Sequence, residues 1–102
     1  MRTGILEAFH RWFSECGARL ASPGVSIEFR EVTNGDPRSA RIDLESDSKL
    51  GRATVWETGL CDLELLDVET QEPLLYRHHE QLTPARLAAV LDEFAGHFGH
   101  PA

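Results

Sequence analysis

The sequence predicts an α+β fold: a five-stranded antiparallel meander sheet with an N-terminal and a C-terminal helix packed on one face, in the order α-β-β-β-β-β-α. Three observations carry it. Both ends repeat apolar residues with a helical period, while the middle alternates apolar and charged residues with a period of two. Every link between the alternating runs is too short for a parallel crossover. At 102 residues the chain, 1–102, reads as one domain with room for one modest core.

The elements follow in order. Residues 4–21 form the first helix, because Ile5, Phe9, Trp12, Cys16 and Leu20 make one stripe that Leu6 and Phe13 widen. Thr3 is its expected N-cap, with Glu7 in the first turn. Ser22-Pro23-Gly24 ends it, since proline blocks continuation and glycine permits a sharp turn. Residues 25–31 are the first strand, and Thr33-Asn34-Gly35-Asp36-Pro37 is a loop. Residues 39–46 are the second strand, and Asp47-Ser48-Lys49 is a polar break. Residues 51–57 and 60–67 are the third and fourth strands, joined tightly at Thr58-Gly59. Asp67 to Glu72 is a hairpin loop, and Leu74–Glu80 is the fifth strand, placed at an edge because Pro73 lacks an N–H. Thr83-Pro84 opens the last helix as cap and first residue, and Leu87, Val90, Leu91, Phe94 and Phe98 form its stripe. Gly99 lies past its end, before the tail His100-Pro101-Ala102.

Alternation assigns the faces. Val25, Ile27, Phe29, Ala40, Ile42, Leu44, Ala53, Val55, Cys61, Leu63 and Leu65 turn inward, under the two helices. Glu28, Arg30, Arg41, Asp43, Glu45, Arg52, Thr54, Trp56, Asp62 and Glu64 turn outward. Trp56 is the odd member of the charged set. It is either packed over arginine stems or an interface anchor, a role in which Trp and Arg are enriched. Leu60 and Leu66 share its parity. The outward side is also acidic. Between Val25 and Leu82 stand thirteen acidic and six basic side chains, an excess equal to the whole net charge of −7.

That charge argues against nucleic-acid binding and against docking on anionic lipid, both of which require Lys and Arg. No run of apolar residues approaches a membrane span, and the start, Met1-Arg2-Thr3-Gly4, has no secretory pattern, so a cytoplasmic protein is expected. Cys16 and Cys61 fall on apolar stripes as buried thiols.

No catalytic, cofactor-binding or metal-binding constellation emerges. His78 and His79 are adjacent in a strand and point to opposite faces, so they cannot share one ion. His97 and His100 have a ligand spacing, but a glycine intervenes; His10 has no evident carboxylate partner. The carboxylates of Asp43 and Glu45, or Asp62 and Glu64, lie beside Arg30, Arg41 and Arg52 and read as a solvated lattice of pairs. The serines and glycines match no nucleophile elbow or phosphate loop. The expectation is therefore a binding protein, not an enzyme, with Trp56, Asp62, Glu64, Asp43, Glu45, Arg52 and Glu57 meeting a protein partner.

Three segments carry a resemblance. Leu6-Glu7-Ala8-Phe9-His10-Arg11-Trp12-Phe13, Ser39–Glu45 and above all Ala53–Thr70 resemble the TriTu family of bacterial immunity proteins. The most distinctive part is Thr54-Val55-Trp56 followed by an acidic residue, a turn and an alternating acidic strand. The resemblance implies a cytoplasmic inhibitor of a cognate protein toxin in a bacterium engaged in interbacterial competition by type VI secretion. It implies a partner like the family's founding one, an ADP-ribosyltransferase acting on elongation factor Tu. It assigns no residue roles, so the interface residues rest on the face argument. The chain is expected to be a monomer when free. The alternative from another class is a small acidic type III-like secretion chaperone, which usually dimerises through a helix inserted between strands.

Overall fold

The computed structural model describes residues 4–20 and 24–98, without the side chains of residues 18–20. The expected roles of Thr3, Ser22, Pro23, Gly99, the tail and the Leu20 side chain lie outside the described residues. Helix α1 spans Ile5–Leu20 and is followed by strands β1 (Ser26–Val32), β2 (Ser39–Glu45), β3 (Lys49–Trp56), β4 (Cys61–Asp67) and β5 (Pro73–His79). Helix α2 (Pro84–Ala95) closes the order, with a 3-10 turn at Gly96–Phe98. The five strands form one sheet in chain order, each antiparallel to the next. The predicted architecture holds, with both helices on one face.

The core lies between that face and the helices. Ala40, Ile42, Leu44, Ala53, Val55, Cys61, Leu63 and Leu65 are buried against Ile5, Phe9 and Trp12 of α1 and Leu87, Leu91 and Phe94 of α2. On β1, an edge strand, the inward residues Ile27 and Phe29 are only half-buried, as is Val25 just before it. Phe29 anchors that edge: Phe13 stacks on it at 5.2 Å, while Phe9 and His10 meet it edge-on at 5.4 and 5.1 Å. The two helices are also joined by a polar contact, the Trp12 indole N–H donating to Asp92 Oδ1 at 2.9 Å. The stripe that buried Trp12 thus also satisfies its one donor.

Turn chemistry sets the strand ends. Ser46 Oγ accepts the Lys49 N–H at 3.1 Å, which folds the β2–β3 link early, so that β3 begins at Lys49, expected in the polar break, and not at residue 51. Asp67 Oδ1 accepts the N–H groups of Glu69 and Thr70, both at 2.9 Å, in the β4–β5 loop. Those donors hold the Asp67 carboxyl below its ordinary range. Register then slips: Leu65 pairs with Leu75 but Leu66 with Pro73, so Leu74 is an extra residue bulged on the β5 edge. Thr83 caps α2 by accepting the Arg86 N–H at 3.3 Å, with Pro84 next. The α-helix stops at Ala95, and Phe98, expected on its stripe, reaches the core from the 3-10 turn.

Two glycines are required by contact. Gly51 faces inward, and a Cβ there would lie 2.5 Å from the Phe98 ring. Gly59, in the β3–β4 turn, has φ +95° and a backbone-lined site: a Cβ would lie 3.2 Å from the Leu82 nitrogen. Its carbonyl accepts the Leu82 N–H at 3.0 Å, tying this turn to the entry of α2. Gly59→Ala is therefore expected to cost about 1–3 kcal/mol, because positive φ and a backbone clash add together. Thermal unfolding checks this; an unchanged midpoint would show that the turn relaxes freely.

Candidate functional site: the outer face of the sheet

The pairing register turns the alternating residues into cross-strand rows. One row runs Ser26, Glu45, Leu50, Leu66 and Pro73. The next runs Glu28, Asp43, Arg52, Glu64 and Tyr76. A third runs Arg30, Arg41, Thr54, Asp62 and His78. The last holds Val32, Ser39 and Trp56. The first two rows frame a shallow groove of about 410 Å³ that touches Glu28, Asp43, Glu45, Arg52 and Glu64 and is floored by Leu50 and Leu66.

The ion pairs decide which charges are left for a partner. Arg30 pairs with Glu28 at 2.9 Å, and Asp43 takes both Arg52 at 2.7 Å and Arg41 at 3.3 Å. Such exposed pairs add little stability, but they neutralise one another locally. Among the described residues no arginine pairs with Asp62. It accepts from His78 Nδ1 at 2.5 Å and from the Tyr76 hydroxyl at 3.4 Å, while His78 Nε2 lies 3.2 Å from Glu80. Glu45 and Glu64 have no ion-pair partner among the described residues. The expected lattice is therefore incomplete: Glu45 and Glu64 lack a cationic partner among the described residues, and Asp62 shares with Glu80 a single histidine that is charged only when protonated.

The same face carries apolar area. Leu50, Leu66, Leu74 and Tyr76 are 40%, 36%, 49% and 58% exposed, and all lie at the β3–β5 corner beside the groove. The resulting surface, an apolar strip flanked by unpaired carboxylates, suits a protein partner better than a reacting small molecule. Among the described residues no polar or charged residue is buried. No group of three or more His, Cys, Asp or Glu is arranged to hold a metal there either.

A family model described as Immunity protein TriTu matches residues 7–96. The chain belongs to the TriTu immunity protein family. No curated protein matches it. The match runs from the first turn of α1 to the end of α2, so the whole outer face of this TriTu protein falls within it. No helix interrupts β1 to β5, where a dimerising secretion chaperone would carry one.

The structure gathers some of the expected interface residues and separates others. Asp43, Glu45, Arg52 and Glu64 line the groove together. Trp56 shares the face but is half-buried in the last row, six residues from Leu50 and so about 20 Å along the strand. Its N–H donates to Leu60 O at 2.9 Å, and its own carbonyl accepts from Gly59. Glu57 falls one residue past β3, where Arg38 holds it at 2.7 Å and lowers its pKa by that hydrogen bond. Leu50, Leu74 and Tyr76 were missing from the expected interface. Leu74 and Tyr76 had the right parity, but only the register shows them beside Leu66 and Glu64. Cys61 faces inward, and burial, helped by Asp62, pushes its thiol up to about 12, so it stays protonated and unreactive.

Hydrogen bonding to Asp62, then to Glu80, raises the His78 pKa above the ordinary histidine value. His78 therefore stabilises the fold fully below about pH 6.5, and loses that contribution as pH rises through its higher folded pKa. An NMR titration is expected to place its midpoint above about 6.5, and Asp62→Asn to bring it back down. A wild-type midpoint at or below that value would refute the Asp62–His78 contact.

Proposed function

We propose that this TriTu protein binds and neutralises a cognate bacterial toxin, an NAD-dependent ADP-ribosyltransferase effector of type VI secretion, by laying the outer face of its sheet over the toxin's active site. It acts in the cytoplasm of the producing cell, as a monomer before it meets the toxin, and needs no cofactor. The observation that carries the reading is the pair of carboxylates, Glu45 and Glu64, without ion-pair partners among the described residues and beside exposed leucines on one face. A site that holds the pyrophosphate of NAD presents cationic groups. A face with spare negative charge is attracted to that site and, once seated, excludes the dinucleotide. The charges serve rate and specificity of association, while apolar contacts hold the complex.

Size limits how the face is used. Five strands about 4.8 Å apart, each about seven residues long, project a face of only about 400 Å². Side chains standing out of the sheet make its accessible area larger than that projection and comparable to the roughly 800 Å² per partner that a standard interface buries, so the toxin covers most of the face. The test is co-expression with the toxin in a sensitive host. Wild type is expected to protect; Trp56→Ala with Glu45→Lys and Glu64→Lys is expected not to, while keeping a native circular dichroism spectrum. Asp62 is left intact in this variant because His78 and Tyr76 depend on it. Full protection by the triple variant would rule out the outer face.

A further inference from the structure

We propose that the corner formed by Leu50, Leu66, Leu74 and Tyr76, with Glu45 and Glu64 at its side, is the energetic centre of the interface and receives an arginine-bearing segment of the toxin with aliphatic neighbours. This rests on the outer-face reading above and narrows it. Leu50 and Leu66 pair directly across β3 and β4, and Tyr76 pairs with Glu64 across β4 and β5. The Leu74 bulge adds a fourth exposed apolar side chain to the same corner.

Charge and shape choose the occupant. Arg52 lies between Asp43 and Glu64 in register, but it pairs with Asp43 at 2.7 Å and makes no ion pair with Glu64, which leaves Glu64 open to a second cation. The ring next to Glu64 favours a guanidinium over an ammonium. A planar guanidinium makes two parallel bonds to a carboxylate and stacks on an aromatic face, whereas lysine supplies a point charge. The leucine floor accepts the methylene stem and an apolar neighbour. The opposite end of the face offers less: Trp56 is half-buried, and its neighbours Asp62 and Glu57 are already held by His78 and Arg38. A second copy of this chain, carrying the same net charge of −7, is a poor occupant by the same reasoning.

Two experiments on the full chain test this. In the first, amide NMR shifts are followed with the peptide Leu-Arg-Leu-Arg, using its Lys and Gln analogues as controls. The expected order is Arg, then Lys, then Gln, with shifts centred on Leu50, Leu66, Leu74 and Tyr76, and with Glu64→Gln removing the preference. Shifts centred on Trp56, or equal binding of the Gln peptide, would overturn the proposal. In the second, toxin affinity is measured for Leu66→Ser with Leu74→Ser and, separately, for Trp56→Ala. The corner variant is expected to bind about 30-fold or more weakly, and Trp56→Ala within a few-fold of wild type. The reverse pattern defeats the corner while the outer face stands. Wild-type affinity in both defeats the outer face itself. If the corner variant changes only the sedimenting mass of the free chain, the corner pairs two copies and the proposal fails.

Discussion

Phe9→Ala is expected to cost about 3–5 kcal/mol and to lower the melting temperature by about 15–30 °C. Phe9 is fully buried on α1 and meets Phe29 edge-on at 5.4 Å, so its ring is shared between the helix and an edge strand. Truncation removes the transfer energy of the ring and leaves a cavity between two layers that are each tied elsewhere. The helix cannot collapse into the gap, because the Trp12 bond to Asp92 fixes it against α2. A domain of this size has about 5–15 kcal/mol of stability, so this single change consumes a large part of it. Urea unfolding of wild type and variant gives the difference directly. A loss below about 1 kcal/mol would mean that α1 is not packed as described.

Reversing Glu45 and Glu64 to lysine is expected to leave that stability nearly unchanged and to remove toxin neutralisation. Neither carboxylate has an ion-pair partner among the described residues, so neither supports the fold through a charge. Exposed charges of this kind move stability by about 0.5 kcal/mol at most. Their effect on a cationic partner is larger, since attraction becomes repulsion in the centre of an interface. Association should slow by about tenfold or more, and the wild-type rate should fall as salt is raised while the variant's does not. Stopped-flow mixing at low and high ionic strength separates the two. A salt-independent wild-type rate would assign the carboxylates no steering role.

Much of the fold was legible because alternation has a period of two, and one wrong step would have exposed the whole inner set. Ile42, Leu44, Ala53, Val55, Leu63 and Leu65 all turn inward as read. Element ends were less legible, since they depend on single side-chain bonds. Ser46 drew Lys49 and Leu50 into β3, and Glu57 fell just outside it. The family was legible from Ala53–Thr70 and its neighbours, and the family match covers those segments. The site was legible by face but not by position. Parity placed Asp43, Glu45, Arg52 and Glu64 outward, and the structure joins them in one groove. Parity is silent on register, which sets Leu50 against Leu66 and leaves Trp56 in the last row. It is also silent on competition: Asp43 holds two arginines, while Asp62 is held by a histidine from β5.

If the outer face blocks the toxin's active site, ADP-ribosyl transfer stops once that face is seated. Titrating the purified chain against the toxin domain while following ADP-ribosyl transfer tests it most directly. Wild type is expected to stop transfer at one equivalent, and the Trp56→Ala, Glu45→Lys, Glu64→Lys variant to leave transfer running at many equivalents. Equal inhibition by the two proteins would rule out the outer face as the blocking surface, and transfer that continues under an excess of wild type would rule out active-site blockage.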